Sequence, residues 1–185
     1  EGILSGTLSF LFNQFKPGKS FGEVLRTAKE KGYTEPDPRE DLSGMDVARK
    51  ILILSREIGL KLEFSDITIE KIIPPACEVA PTVDAFFEEI DKANDFFEKL
   101  VNEAAAKGEV LRYIACLEDQ KITIGLRSVG PAHPFYQMDG ADNVIAFTTK
   151  RYHDRPLVIK GPGAGAEVTA SGVFADIVSI GSHLA

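Results

Sequence analysis

The 185-residue chain has no tryptophan, two methionines, two cysteines and three histidines. Each shortage removes a class of function. His133, His153 and His183 are scattered singly, with no HExxH pair and no Cys/His cluster, so a zinc centre lacks a ligand set. Cys77 and Cys116 lie far apart among apolar or mixed neighbours, which reads as two buried free thiols and fits a cytoplasmic protein. No GxSxG anchors a hydrolase triad. No secretory segment is recognisable, and no apolar run approaches the ~18 residues of a membrane span. No Lys/Arg-rich run offsets the 28 acidic residues against 21 basic ones, a net charge of -7. Nucleic acid and anionic membrane are therefore not expected partners.

What is present is ordinary for a globular protein: 44% hydrophobic and 26% charged residues, enough for one domain or one domain with an appendage. The chain begins with Glu1 rather than Met, and EGILSGTLSFLF reads as if already inside a fold. A piece of a longer polypeptide is expected.

Helical spacing of Leu8, Leu11, Phe12 and Phe15 predicts a first helix from about Ser5 to Phe15. In SFGEVLRTAKEKG, Ser20 and Glu23 have capping-box spacing and Gly32 stands where a C-terminal cap belongs. Asp41 or Ser43 is then expected to cap a helix carrying Val47, Ile51, Leu54 and Ile58, ended by Gly59. DITIEKIIP alternates like a strand. A long helix is expected from Thr82 to Lys107, with Phe86, Phe87, Ile90, Phe96, Phe97 and Leu100 on its apolar stripe. Strands follow at EVLRYIACLE and KITIGLRSV around Asp119-Gln120, then at NVIAFTTKRY and RPLVIKG. A last helix begins after GPGAGAE. Helices first, then a mostly antiparallel or mixed sheet covered by one long helix, define an α+β class.

Two stretches carry chemistry. GYTEPDPREDLSGMDVARK packs carboxylates around two prolines. An EF-hand is excluded, because Arg39 and Leu42 occupy positions that need an acid and a glycine. A solvated loop and a pocket for a cationic group both remain. Asp46 and Lys50, four apart on a helix, share one face, so a lysine beside carboxylates is a candidate proton donor. The second stretch, GPGAGA at 161–166, fits G-x-G-x-x-G/A, but no second strand and no acidic residue about 20 positions on follow it. A glycine turn for tight packing and a backbone contact to a polar cofactor group, through Gly163 and Gly165, both remain open.

The spacing in AKEKGYTEPDPREDLSGMDVARK resembles the signature of homoserine dehydrogenases, through Ala28, Gly32, Tyr33, Thr34, Asp37, Pro38, Asp41, Leu42, Gly44, Asp46 and Lys50. EGILSGTLSFLFNQF is similar to the family segment entering the substrate site, and GPGAGAEVTASGVFAD to its C-terminal glycine turn and helix. The whole is most like the C-terminal part of bifunctional aspartokinase–homoserine dehydrogenases. The resemblance implies interconversion of L-aspartate 4-semialdehyde and L-homoserine with NADP or NAD, in threonine, methionine and isoleucine biosynthesis. It implies Lys50 as proton donor with Asp46 as its partner, and Glu35 as the grip on the substrate ammonium. Tyr33, Thr7 and the Gly6 backbone would shape the pocket, with Glu40 and Asp41 lining it. Gly165, with Gly163 nearby, would contact the cofactor.

The same resemblance divides the chain into a substrate-binding, catalytic and dimerisation region at 1–160 and a turn and helix at 161–185 that return to a nucleotide-binding half. That half, with a second active-site lysine and the residues for a structural sodium ion, would lie upstream. No metal site is expected in this chain, a homodimer through the sheet is, and the isolated chain is expected to be inactive. The rival reading is a non-catalytic dimerisation or amino-acid-binding module on the same scaffold.

Overall fold

A computed structural model describes residues 1–184. The chain begins with a two-residue strand, β1 (Gly2–Ile3), that no periodicity announces. Helix α1 (Gly6–Gln14) follows, capped by Ser5, whose hydroxyl accepts from the Leu8 N–H at 3.2 Å. Helix α2 (Phe21–Glu30) closes as expected: Gly32 has φ +71°, and Tyr33 N–H donates to Ala28 O at 3.0 Å. Its expected capping box is not formed, since the Ser20 side chain makes no cap bond.

The acidic stretch folds into two helices. Asp37 caps α3 (Pro38–Leu42), accepting from Arg39 N–H at 3.0 Å, with Pro38 in the first turn where no N–H is needed. Helix α4 (Met45–Glu57) starts after Gly44; of the two expected caps Ser43 contributes, its hydroxyl accepting from the Met45 N–H at 3.2 Å, and Asp41 does not. Asp41 is drawn elsewhere, to the Glu35 backbone. Gly44 has φ +72°, and a Cβ there would fall on the buried Tyr113 hydroxyl.

A 3-10 turn (Phe64–Asp66) leads into β2 (Ile67–Ile69), shorter than the alternation suggested, and a short α5 (Pro75–Glu78) follows. The expected single helix over 82–107 is two: α6 (Val83–Lys92) and α7 (Asn94–Ala106), broken at Ala93. The break lets Phe86 and Ile90 bury on one line and Phe97 and Val101 on another, while Phe96 stays 46% exposed. Phe97 stacks on Phe21 of α2 with ring centroids 4.1 Å apart.

Strands β3 (Val110–Glu118) and β4 (Lys121–Val129) join through Asp119-Gln120, both at positive φ, as in a tight hairpin turn. Strand β5 (Asn143–Phe147) pairs with β6 (Leu157–Gly161), and α8 (Ala166–Leu184) ends the described chain. The mixed sheet runs β2-β4-β3-β1-β5-β6, parallel only at β2–β4.

The two sheet faces have separate cores. Leu111, Tyr113, Ala115, Ile122 and Ile124 pack with the helices. On the other face Ile3, Ile114, Val129, Val144 and Ala146 pack with Phe135 and Met138 of the 130–142 loop. Buried Arg112 pins that loop and α1 to β3, donating to Phe135 O, Phe12 O and Tyr136 O at 2.8–2.9 Å. Desolvation lowers its pKa, opposed in part by the charge of Asp139. Cys77 is buried and Cys116 only half-buried, and both are free thiols. Helix α8 has no buried residue.

The α3–α4 corner thus depends on Gly44 lacking a side chain. Gly44→Ala is expected to cost roughly 2–4 kcal/mol, from the left-handed backbone and overlap with Tyr113. Tyr113→Phe alone removes a hydroxyl that has no hydrogen-bond partner among the described residues, and is expected to be near neutral. Urea unfolding of both single variants and the double tests this, the double recovering part of the loss.

Candidate active site

Three chain segments converge on a cleft of about 870 Å³. The first is the β1–α1 junction. It brings Ser5, Gly6 and Thr7 to the cleft wall. Gly6 allows close approach of the opposite wall, since a Cβ there would lie 3.1 Å from Ala141 O.

The second is the acidic stretch. Thr7 Oγ1 donates to Tyr33 O at 2.5 Å, and the Tyr33 ring packs 4.7 Å from that of Phe10. The Glu35 N–H donates to Asp41 Oδ2 at 2.9 Å, folding the loop back on α3. That fold leaves the Glu35 and Glu40 carboxylates on the cleft wall. Lys50 Nζ sits 2.7 Å from Asp46 Oδ2 and donates to Leu4 O at 2.9 Å. The Lys50 and Asp46 side chains are 39% and 57% exposed, so their pairing adds at most a few tenths of a kcal/mol to stability. Its consequence is geometric: the ammonium is held at two points.

The third segment is the start of β5 with the glycine turn after β6. Ala141, Asp142 and Asn143 face Pro162, Gly163, Ala164 and Gly165. Gly163 lies directly on Asn143, where a Cβ would overlap the side-chain amide. Gly165 has φ +120°, and its exposed backbone opens into α8.

The structure therefore brings Gly6, Thr7, Tyr33, Glu35, Glu40, Asp41, Asp46, Lys50, Gly163 and Gly165 to one cleft. Asp37 stands apart, engaged with Arg39 at 2.5 Å. Sequence reasoning missed the Leu4 carbonyl, Asn143 and Arg49. A backbone carbonyl leaves no trace in residue type, and Asn143 sits far along the chain in a strand, with no motif around it. Arg49 lines the cleft beside Lys50 without belonging to any motif of its own. Among the described residues no group of three or more His, Cys, Asp or Glu could hold a metal ion. Nor is any helix among them long and apolar enough to cross a membrane.

Comparison with known proteins gives the same family. The homoserine dehydrogenase family model matches residues 1–178. The chain is 49% identical to the bifunctional aspartokinase/homoserine dehydrogenase 1 of Zea mays, over all of this chain but 20% of that protein. It is 41% identical to homoserine dehydrogenase of Saccharomyces cerevisiae, covering 53% of it. Among solved structures, a putative homoserine dehydrogenase from Archaeoglobus fulgidus superposes with a TM-score of 0.71 at 29% identity, over 97% of this chain and 49% of that one. The chain belongs to the homoserine dehydrogenase family. It spans a fifth of the maize polypeptide and about half of the yeast and archaeal proteins.

Asp41 shows what this arrangement costs. Burial raises its carboxyl above the usual range, the nearby Glu35 charge adds to that, and the Glu35 N–H and Thr7 hydroxyl oppose it. The folded state thus keeps this proton longer than the unfolded chain. Its stabilising effect is complete below the unfolded value and is lost as pH rises through the folded one. Asp41→Asn is expected to raise the Tm at pH 7, with the advantage shrinking as pH falls through the Asp41 titration. Thermal melts of both proteins between pH 3 and 7 check it; an advantage that grows on acidification overturns the assignment.

Proposed function

We propose that this chain is the substrate-binding and catalytic region of a homoserine dehydrogenase, interconverting L-aspartate 4-semialdehyde and L-homoserine. The observation that carries the proposal is the Lys50 ammonium, fixed between Asp46 and the Leu4 carbonyl in the cleft that also holds Glu35 and the glycine turn. Reduction of an aldehyde builds negative charge on its oxygen, and a positioned ammonium both stabilises that charge and supplies the proton. A nicotinamide, NADP or NAD, supplies the hydride when bound. Lys50 Nζ gives its proton to the carbonyl oxygen, which becomes the hydroxyl of homoserine. Asp46 and Leu4 O keep the ammonium aimed.

The acidic wall suits the other end of the substrate. Glu35 takes the α-ammonium, with Asp41 holding the Glu35 backbone and Glu40 adding negative potential. Tyr33, Thr7 and the Gly6 backbone shape the pocket. The bare backbone at Gly163 and Gly165 fits close approach of the cofactor from this chain's side. The structural sodium implied by the resemblance is assigned to no residue of this chain.

The division at residue 160 also belongs to this reading. Helix α8 leaves Phe174, Ile177 and Ile180 at least 60% exposed, which suits a return to the nucleotide-binding half. Exposed Leu157, Val158 and Ile159 on β6 suit pairing of two copies through the sheet. The chain alone, about half the length of the yeast relative, is not expected to turn over. NADPH oxidation with aspartate semialdehyde by the isolated chain would contradict that.

In the full-length polypeptide, Lys50→Ala is expected to lower kcat about 10²- to 10⁴-fold with folding intact. Unchanged turnover would favour the rival, a non-catalytic dimerisation or amino-acid-binding module. Glu35→Ala is expected to raise KM for the amino-acid substrate about tenfold or more and leave kcat within a few-fold. Steady-state kinetics separate the two effects.

A further inference from the structure

Lys50 is not held by α4 alone. The Leu4 carbonyl that accepts from its ammonium at 2.9 Å also accepts from Asn143 Nδ2, at 3.4 Å. Turning the Asn143 amide over would set Oδ1 against Leu4 O, two acceptors face to face, so the donor assignment follows from the chemistry. The remaining amide oxygen, Oδ1, is buried with no partner among the described residues. A side chain that leaves one polar atom unsatisfied is held in place by other contacts. One is visible: the amide lies against Gly163, close enough that any side chain there would displace it.

We propose that Asn143 is a positioning residue for Lys50, coupling the glycine turn to the Leu4 carbonyl that aims the ammonium. The inference rests on the dehydrogenase reading given above. It adds that the turn on the cofactor side and the proton donor on the substrate side share one mechanical link. Gly163 presses on the amide, the amide fixes the Leu4 carbonyl, and the carbonyl fixes Nζ. It also gives Gly163 a second reason to lack a side chain, apart from any approach of the cofactor.

The test uses the full-length polypeptide. Asn143→Leu is neutral and nearly isosteric and keeps the packing under Gly163, but removes the N–H that reaches Leu4 O. Asn143→Ala removes both. If Asn143 positions Lys50, both variants lose about tenfold to a hundredfold in kcat. KM for the amino-acid substrate stays within a few-fold, because the Glu35 wall is untouched. If Asn143 only fills space, Asn143→Leu keeps the parent kcat and the proposal fails.

Gly163→Ala supplies an independent arm. Alone, it drives the amide off Leu4 O and lowers kcat as well as cofactor affinity. With Asn143→Ala the new methyl has room. The double variant should recover cofactor affinity, read by quenching of NADPH fluorescence, and match the kcat of Asn143→Ala. Strictly additive losses in both quantities overturn the coupling. Failure of the underlying reading looks different: the parent polypeptide then lacks homoserine dehydrogenase activity, or Lys50→Ala keeps it.

Discussion

The sheet is continuous only because of two residues. Gly2 pairs with Ala115 of β3 on one side and Ile145 of β5 on the other, and Ile3 with Val144. Without this strand the sheet would be two hydrogen-bonded pieces, β2-β4-β3 and β5-β6, related only by side-chain packing and the loop that Arg112 holds. The site follows from the same constraint. Leu4 and Ser5 come next in the chain, so the carbonyl that holds Lys50 and the cap that starts α1 are placed by β1. The start of β5 is placed by the same strand, and with it Asn143. Glycine suits its position, since a Cβ on Gly2 would meet the Leu4 side chain at 3.0 Å and Val144 O at 3.3 Å.

A second constraint backs the cleft from the far side of the sheet. Arg112 spends its guanidinium on backbone carbonyls of α1 and of the 130–142 loop. Burying a cation is costly, and desolvation lowers its pKa despite the opposing charge of Asp139. Its geometric return is high, because one planar group fixes three segments. The loop it holds covers the second core with Phe135 and Met138 and then delivers Ala141 and Asp142 to the cleft. Apolar packing alone would hold that loop less specifically.

Local signals in the sequence carried much of this. The apolar spacing of α1, the Val47 and Ile51 face of α4, the Gly32 stop, the Asp119-Gln120 turn and the four-residue step from Asp46 to Lys50 are rules of short range, and each is met in the structure. Ile58, expected on the same face of α4, instead falls past its end and is exposed. What stayed hidden is tertiary. Strand β1 is too short to show alternation, and its place in the sheet is set by partners far along the chain. The break at Ala93 follows from packing against α2 and β3, since alanine itself favours continuing a helix. The glycine at 44 is required because the corner passes over Tyr113, a contact that only the fold reveals. The family spacing grouped ten residues of which short-range rules join only Asp46 and Lys50. It had no means of marking Asn143 or a carbonyl.

The distribution of charge around the cleft completes the picture. Lys50 is neutralised locally by Asp46, and Asp142 lies 3.8 Å from Lys160. Glu35, Glu40 and Asp41 have no such partner among the described residues, and Asp41 is partly buried besides. Stability alone would not assemble this group, since unpaired carboxylates repel one another and resist burial. Rigid devices nevertheless hold it together: the Asp37–Arg39 cap, the Pro38 start of α3, and the Glu35 N–H on Asp41. On the proposed reading, uncompensated negative charge beside a fixed ammonium suits a ligand carrying a cation at one end and a polar, proton-accepting group at the other. That polarity, more than any single residue, is what favours a binding role for the acidic stretch over a solvated loop.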